Sequence, residues 1–311
     1  MKGVVIKSTG SWYLVRLESG EELNARIKGK FRIQGIKTTN PVAVGDIVSM
    51  EVEEDGNAII NEIEERKNYI IRKSVNLSKR SHIIAANVDQ AVLVVTLSQP
   101  KTFTAFIDRF LVSAEAYHIP TIIVFNKIDV YSEEEKEELA YLKAVYSDIG
   151  YSCIETSATQ DINIDMLKNC LQDKTSVISG HSGVGKSTLL NIIQPGLDLK
   201  TNDITESHQL GKHTTTFAEM FPLNFGGNII DTPGIKAFGL IDFDKSELSH
   251  YFIEMRELLK DCQFNNCVHI NEPKCAVKNA LEDHGVAPFR YKNYISMYED
   301  DEEETYRDKG Y

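Results

Sequence analysis

Over the first 66 residues, hydrophobic and polar positions alternate in short runs. The runs are "GVVIKS", "SWYLVRLE", "ELNARI", "DIVSMEVEE" and "AIINEIEE", separated by turn signals such as "STGS", "ESGEE" and "EEDGN". A period of two between turns predicts strands. Five short strands in a segment of this length predict a small all-β barrel of the OB type, a frequent oligonucleotide-binding scaffold. The barrel does not by itself fix a function. A basic, strand-poor joint is expected from Arg66 to Ser81.

From Ala86 the pattern changes to alternating apolar strands and amphipathic helices. "DQAVLVVTL", "PTIIVF", "YSCIETSA", "TSVISG" and "GGNIIDTPG" read as strands. "FTAFIDRFLVSAEAY", "SEEEKEELAYLKAVYSDI", "DMLKNCLQ" and "KSTLLNIIQ" read as helices. This alternation predicts a parallel sheet with helices on both faces. Ligands of such sheets sit at the carboxyl ends of the strands. From Ile241 onward the chain reads as mostly helical. The expected division is a barrel over 1–66, an α/β nucleotide-binding domain over 67–240 and a mostly α metal-binding domain over 241–311.

Composition adds limits. The chain has 311 residues, a net charge of −12 and five cysteines. No apolar run approaches the roughly 18 residues a membrane span needs, so no membrane partner is expected. "MKGVVIKSTG" lacks the apolar core of a signal peptide, and a cytoplasmic location is expected. An odd, sparse cysteine count argues against a disulfide framework. The acidic total hides two basic stretches. Residues 25–45 carry Arg26, Lys28, Lys30, Arg32 and Lys37 with no acid, and residues 66–88 carry Arg66, Lys67, Arg72, Lys73, Lys79 and Arg80 with no acid. Local patches, rather than the total, govern polyanion binding, so these stretches are the expected contacts to RNA phosphates. A solvated surface is the alternative for either one alone. The tail "EDDEEE" (299–304) concentrates negative charge.

The most specific motif is Gly180-His181-Ser182-Gly183-Val184-Gly185-Lys186-Ser187-Thr188. It matches the phosphate-binding loop G-x-x-x-x-G-K-[ST] in full, between a strand and a helix as the motif requires. Its glycines let backbone N–H groups turn toward phosphates, and the helix N-terminus adds positive potential. Lys186 is expected on the β- and γ-phosphates, and the Ser187 hydroxyl on Mg²⁺. "DTPG" follows another apolar strand. Asp231 is expected to hold Mg²⁺ through water, and the Gly234 N–H to contact the γ-phosphate.

"NKID", from Asn126 through Lys127 and Ile128 to Asp129, ends the strand "TIIVF". The Asp129 carboxylate offers two acceptors to the N1–H and 2-amino donors of guanine. Adenine has neither, and leaving a desolvated charged group unpaired costs upwards of about 1–3 kcal/mol. Asn126 is expected to brace the phosphate loop, and Lys127 to lie along the base. "ETSA" places Ser157 and Ala158 at a further strand end, where their backbone N–H groups would complete the base pocket. These elements run in the order base, base, phosphate, magnesium. In an ordinary guanine-nucleotide-binding domain the phosphate loop comes first. The order therefore predicts a circularly permuted domain, which nearby surface termini permit. Permutation puts "DTPG" at the domain's end, where a γ-phosphate-sensitive switch could move the C-terminal region.

With this motif order, together with "IAANVDQ" (84–90), "GKHTTT" (211–216) and the Cys/His cluster below, the chain resembles the RsgA (YjeQ) family of circularly permuted GTPases. The resemblance covers nearly the whole length. It implies an OB domain, a permuted GTPase domain and a zinc domain, acting in late maturation of the small ribosomal subunit. It also implies binding to 16S rRNA, ribosome-stimulated hydrolysis of GTP to GDP, and departure after hydrolysis, by a protein expected to be a monomer. In "GKHTTT" the resemblance implies a Mg²⁺ ligand, taken as Thr215 with Thr214 and Thr216 as alternatives. Many GTPases carry a water-orienting Gln after the DxxG turn. Here that position is Ile235, which can neither donate nor accept. His213 is the expected catalytic replacement. His181, inside the phosphate loop, is expected to point outward.

Cys262, Cys267, His269 and Cys275 supply four zinc-type ligands within fourteen positions. Three thiolates and an imidazole make a closed tetrahedral set, expected to hold one structural zinc ion. Lys274 and Lys278 are expected to offset its charge. Cys153 and Cys170 read as ordinary buried residues. Two other classes remain open: an RNA-binding module with a mainly structural, slowly hydrolysed guanine nucleotide, favoured by Ile235, and a P-loop kinase or ATPase, opposed by "NKID".

Overall fold

The first five strands are β1 (Lys2–Ser8), β2 (Tyr13–Leu17), β3 (Glu22–Ile27), β4 (Ile47–Val52) and β5 (Ala58–Ile63) in a computed structural model that describes residues 1–27, 41–54, 56–73, 81–196, 218–231 and 244–299. They pair in the order β1-β2-β3-β5-β4, and β4 returns to β1 to close the barrel. Val5, Tyr13, Val15, Ala25, Val48, Met50, Ala58 and Ile60 fill it. These inward positions are the apolar ones of the alternating pattern, as the pleat demands.

The joint departs from expectation. Instead of strand-poor chain, β6 (Tyr69–Lys73) and β7 (Ser81–Ala86) form an antiparallel hairpin. Ile70, Ile83 and Ala85 of this hairpin are buried. The basic residues of this stretch of sequence disguised its short apolar alternation.

Next come β8 (Gln90–Val95), α1 (Thr104–Ala116), β9 (Thr121–Phe125), α2 (Glu133–Ile149), β10 (Ser152–Glu155), α3 (Ile164–Leu171), β11 (Thr175–Ser179), α4 (Lys186–Ile193), β12 (Glu219–Pro222) and β13 (Asn228–Asp231). The strand order is β10-β9-β8-β11-β13-β12, all parallel except β12. β8 and β9 are buried at every position, as expected of strands covered on both faces. Leu93 and Val95 of β8 face Ile107, Phe110 and Leu111 of α1 and Leu139 and Leu142 of α2. Val92 and Val94 face Leu167 of α3 and Leu189 and Leu190 of α4. The three α1 residues recur at i, i+3 and i+4, and burying each contributes about 1.5–3 kcal/mol over exposure. α2 starts where the sequence says. Ser132 accepts from Glu135 N at 3.3 Å while Glu135 accepts from Ser132 N at 2.7 Å, a capping box.

The chain moves outward from β8 to β9 and β10, then returns to β11 on the other side of β8 and proceeds to β13. The strand order thus reverses between β8 and β11, the kind of position where α/β sheets bind ligands. The barrel continues this sheet: β1 pairs antiparallel with β12 at Lys7 and Glu219, whose side chains form a 2.9 Å ion pair. Sequence patterning left β12 unassigned.

The C-terminal part holds a 3-10 helix (Lys245–Tyr251), α5 (Ile253–Leu258), α6 (Ala276–Glu282) and α7 (Pro288–Glu299). It packs on α1, where Val112 joins a core with Phe252, Met255, Val277 and Tyr294.

Candidate functional site

The sequence motifs meet at one edge of the sheet. β11 delivers the phosphate loop, β9 delivers Asn126–Asp129, β10 delivers Ser157 and Ala158, and β13 ends at Asp231. Parallel neighbours in register place these carboxyl ends side by side.

In the loop, Gly180 has φ +144° and a Cβ there would lie 2.2 Å from the Val94 carbonyl oxygen. Gly185 has φ +94°, and its Cβ would lie 2.5 Å from Asn126 Nδ2. Only glycine fits either position. Val184 is buried and anchors the loop, whereas Ser182, Gly183 and Thr188 are exposed. Lys186 and Ser187, half-buried, open α4. Lys186 Nζ donates to the carbonyls of Gly180 and His181, each at 2.6 Å. Burial pulls its pKa below the ordinary lysine value, opposed by the Asp231 carboxylate. His181 does not point outward as expected: its ring packs on Phe106 of α1 with centroids 3.7 Å apart.

Asn126 ties the base and phosphate segments together. Its buried amide donates from Nδ2 to Val184 O at 2.9 Å and accepts at Oδ1 from Thr156 Oγ1 at 3.0 Å. Lys127 adopts a left-handed φ of +63°. Its ammonium donates to Gln99 O at 2.6 Å, over the loop between β8 and α1. Ile128 begins a 3-10 turn that carries Asp129. The Asp129 carboxylate is half-exposed rather than buried by protein. Ser157 Oγ donates to Oδ1 at 2.5 Å, and Thr159 Oγ1 donates to Oδ2 at 3.0 Å. The Ser157 hydroxyl, foremost, holds this carboxyl below its ordinary value. Ser157 is fully buried, and Ala158 packs on the α3–α4 core. The chain reversal after β10 brings in Thr159, which motif reading missed. Its position two residues past Ser157 was the only signal. His213, Thr214, Thr215, Thr216, Gly234 and Ile235 lie outside the described residues.

The second candidate site is the Cys/His cluster. The donor atoms of Cys262, Cys267, His269 and Cys275 all lie within 4.8 Å of one another. His269 Nδ1 is 3.3 Å from Cys275 Sγ and 3.6 Å from Cys262 Sγ. A tetrahedral ion with bonds of about 2.0–2.3 Å needs donors roughly 3.5 Å apart, so the four residues fit a metal ion. Burial lowers the His269 pKa, which keeps the imidazole neutral as a ligand must be. Burial, with Cys275 and Cys262 alongside, pushes the Cys267 thiol up to about 12. A cation among the sulfurs would reverse that.

Sequence reading missed the cluster's supports. The Glu272 carboxylate accepts from the backbone N–H of Val268 at 2.8 Å, Ile270 at 2.9 Å and Asn271 at 3.1 Å. From α7, Tyr291 donates to His269 O at 2.7 Å and Tyr294 to Val268 O at 2.5 Å. The two lysines expected to offset the cluster's charge make no direct contact with its sulfurs among the hydrogen bonds seen. Lys278 Nζ donates to Ile270 O at 3.3 Å, and Lys274 is exposed. Cys153 and Cys170 are half-buried, packed against the two sheet cores.

α7 is locked to the α/β domain by charge. Arg290 donates to Asp108 Oδ1 of α1 at 2.7 Å and to both Glu254 oxygens of α5, at 2.7 and 2.9 Å. Tyr146 donates to Asp108 Oδ1 at 2.8 Å and Asn293 to Oδ2 at 2.6 Å. Arg290 and Asp108 are fully buried. Burial works against the Arg290 cation, but Asp108 and Glu254 outweigh it and hold the guanidinium well above its usual value.

The basic stretches look different in three dimensions. Arg66 is buried and holds Asp46 through two 2.6 Å contacts, so it is withdrawn from any phosphate. Lys67 pairs with Asp89, and Arg26 pairs with Glu53 at 2.7 Å. Lys28, Lys30, Arg32, Lys37, Lys79 and Arg80, like the side chains of Arg72 and Lys73, lie outside the described residues. Among the described residues no helix is long and apolar enough to cross a membrane.

A doubly wound sheet with its phosphate loop in the middle of the chain, and the base segment before it, defines a circularly permuted P-loop GTPase domain. Comparisons agree. The RsgA GTPase family profile matches residues 63–241, and the RsgA N-terminal domain profile matches 2–60. The chain is 57% identical over 310 residues to a small ribosomal subunit biogenesis GTPase RsgA of Christiangramia forsetii, covering 99% of this chain and 98% of that one. It is 54% identical over 306 residues to the protein of the same name in Flavobacterium johnsoniae, covering 97% and 94%. Among solved structures, YjeQ from Thermotoga maritima superposes with a TM-score of 0.79 at 38% identity over 96% of each chain. YloQ, a circularly permuted GTPase, gives 0.75 at 34% over 96% and 93%. The chain belongs to the RsgA GTPase family.

Proposed function

We propose that this protein binds and hydrolyses GTP in the cytoplasm, docks as a monomer on the small ribosomal subunit through 16S rRNA, and assists its late maturation. The subunit comes from the relatives' shared name. The division into 1–66, 67–240 and 241–311 is part of the same reading. The observation that carries the nucleotide chemistry is the Asn126 amide, which joins the base segment to the phosphate loop at 2.9 Å. One side chain thereby sets the distance between a guanine-reading carboxylate and the phosphate-binding backbone.

In this reading Asp129 accepts from guanine, and the Ser157–Ala158 backbone closes the pocket. The N–H groups of residues 180–188 cradle the phosphates, and Lys186 exchanges its carbonyl partners for phosphate oxygens. Ser187, Asp231 and Thr215 would hold Mg²⁺, which neutralises charge developing on the phosphates. Gly234 N–H would contact the γ-phosphate, and His213 would orient the attacking water. Cys262, Cys267, His269 and Cys275 would hold one structural zinc ion, the metal that three thiolates and an imidazole suit best.

Competition binding tests the base assignment. The wild type should prefer GDP over ADP by tenfold or more. Asp129→Asn should weaken GDP and favour xanthosine diphosphate, whose 2-oxo group accepts where guanine donates. No gain for xanthosine diphosphate would remove Asp129 from the base pocket.

A further inference from the structure

Asp129 receives a second hydroxyl that the GTPase motifs do not require. Ser157 and Ile162 exchange two backbone hydrogen bonds, N–H to O at 3.3 and 3.0 Å, closing a tight reversal at the end of β10. Thr159 sits inside it, exposed. Its Oγ1 lies 3.0 Å from Asp129 Oδ2 and 3.1 Å from Ser157 Oγ. Ser157 Oγ takes the Gln160 N–H at 3.2 Å, which directs its own proton to Asp129 Oδ1. Each carboxylate oxygen therefore has its own hydroxyl, and rotation about Cβ–Cγ would break at least one of these bonds. A carboxylate has about four lone-pair sites, so one remains on each oxygen.

Bidentate recognition needs both remaining lone pairs in the plane of the base. A single hydroxyl leaves the carboxylate free to swivel about the bonded oxygen, whereas two fix its plane. A hydrogen bond this exposed adds little to fold stability. Its consequence lies in geometry: a preorganised acceptor loses less on binding than a swivelling one.

We propose that Thr159 is a specificity-determining positioning residue: its hydroxyl, with that of Ser157, fixes the Asp129 carboxylate plane so that both oxygens meet the N1–H and 2-amino donors of guanine. This rests on the reading of Asp129 as the base acceptor.

The test uses the full chain with Thr159→Val, which keeps the shape and removes the donor, and Thr159→Ser, which keeps the donor. Dissociation constants are measured for GDP and for inosine diphosphate, which lacks the 2-amino group. Thr159→Val should weaken GDP roughly tenfold and inosine diphosphate clearly less, so the preference between them shrinks. Thr159→Ser should keep the wild-type preference. An unchanged ratio in Thr159→Val overturns the proposal, whether both affinities fall together, as a merely structural role would give, or neither moves. If the wild type itself does not distinguish the two nucleotides, and Asp129→Asn gains nothing for xanthosine diphosphate, the Asp129 reading fails and takes this inference with it. A wild type that distinguishes them, beside a Thr159→Val variant that does so equally well, sinks only the role of Thr159.

Discussion

Replacing Arg290 with methionine removes the cation that joins α7 to α1 and α5. The stem keeps most of its packing against Phe252, whose ring lies 4.6 Å from the guanidinium carbon. What disappears is one hydrogen bond to Asp108 and two to Glu254. Taking one partner from a buried ion pair costs about 3–5 kcal/mol, because the other charge stays buried. Asp108 keeps Tyr146 and Asn293 as donors, and Glu254 is 10% exposed and can reach water. The low end, about 3 kcal/mol, is therefore expected. At roughly 2–4 °C per kcal/mol this lowers Tm by about 6–12 °C in calorimetry. Hydrogen exchange should speed up in α1 and α7 before the barrel. The effect depends on pH. Burial already raises the Asp108 carboxyl, and losing Arg290 raises it further. A carboxyl raised in the folded state stabilises the fold while protonated, and that contribution is lost as pH rises through its folded pKa. The destabilisation is thus largest at neutral pH and shrinks toward acid. Adding Asp108→Asn should recover at least about 1 kcal/mol by removing the unpaired charge. A single variant costing less than about 1 kcal/mol, or a double variant as unstable as the two singles added, would refute the argument.

Two further perturbations reach the other sites. Glu272→Gln replaces a charged acceptor of three backbone N–H groups by a neutral amide, so a chelator should strip a metal ion loaded on the Cys/His cluster roughly tenfold faster; an unchanged rate would remove Glu272 as the organiser of the ligand loop. His213→Ala should leave GDP affinity intact and lower subunit-stimulated turnover by about a hundredfold, the scale of a positioned acid–base group; unchanged turnover would assign the water to another residue.

How much could be read in advance varied with how local the determinant was. The phosphate loop, "NKID" and the Cys/His spacing are fixed by a few adjacent residues, and each takes its structural context from its own strand or turn. The segment "SEEEKEELAYLKAVYSDI" placed α2 in the same local way, and the structure adds the Ser132–Glu135 capping box at its start. The joint after the barrel shows the opposite: the β6–β7 hairpin was hidden because its basic residues outweighed a short apolar alternation. β12 has only four residues and owes its existence to β13 and β1, two partners distant in sequence. Arg66 shows why charge counts mislead. A run of cations looks like a phosphate surface until one of them turns inward onto Asp46. Arg290 was equally silent, because Asp108 lies 182 positions away.

GTP turnover measured with and without purified small ribosomal subunits tests the proposed function most directly. A permuted GTPase lacking the usual glutamine should turn over slowly alone and at least tenfold faster with subunits, because ordering the catalytic loop by a partner restores the missing transition-state contacts. The same slow rate in both conditions, with guanine nucleotide tightly bound, would contradict it and leave an RNA-binding module whose nucleotide is structural.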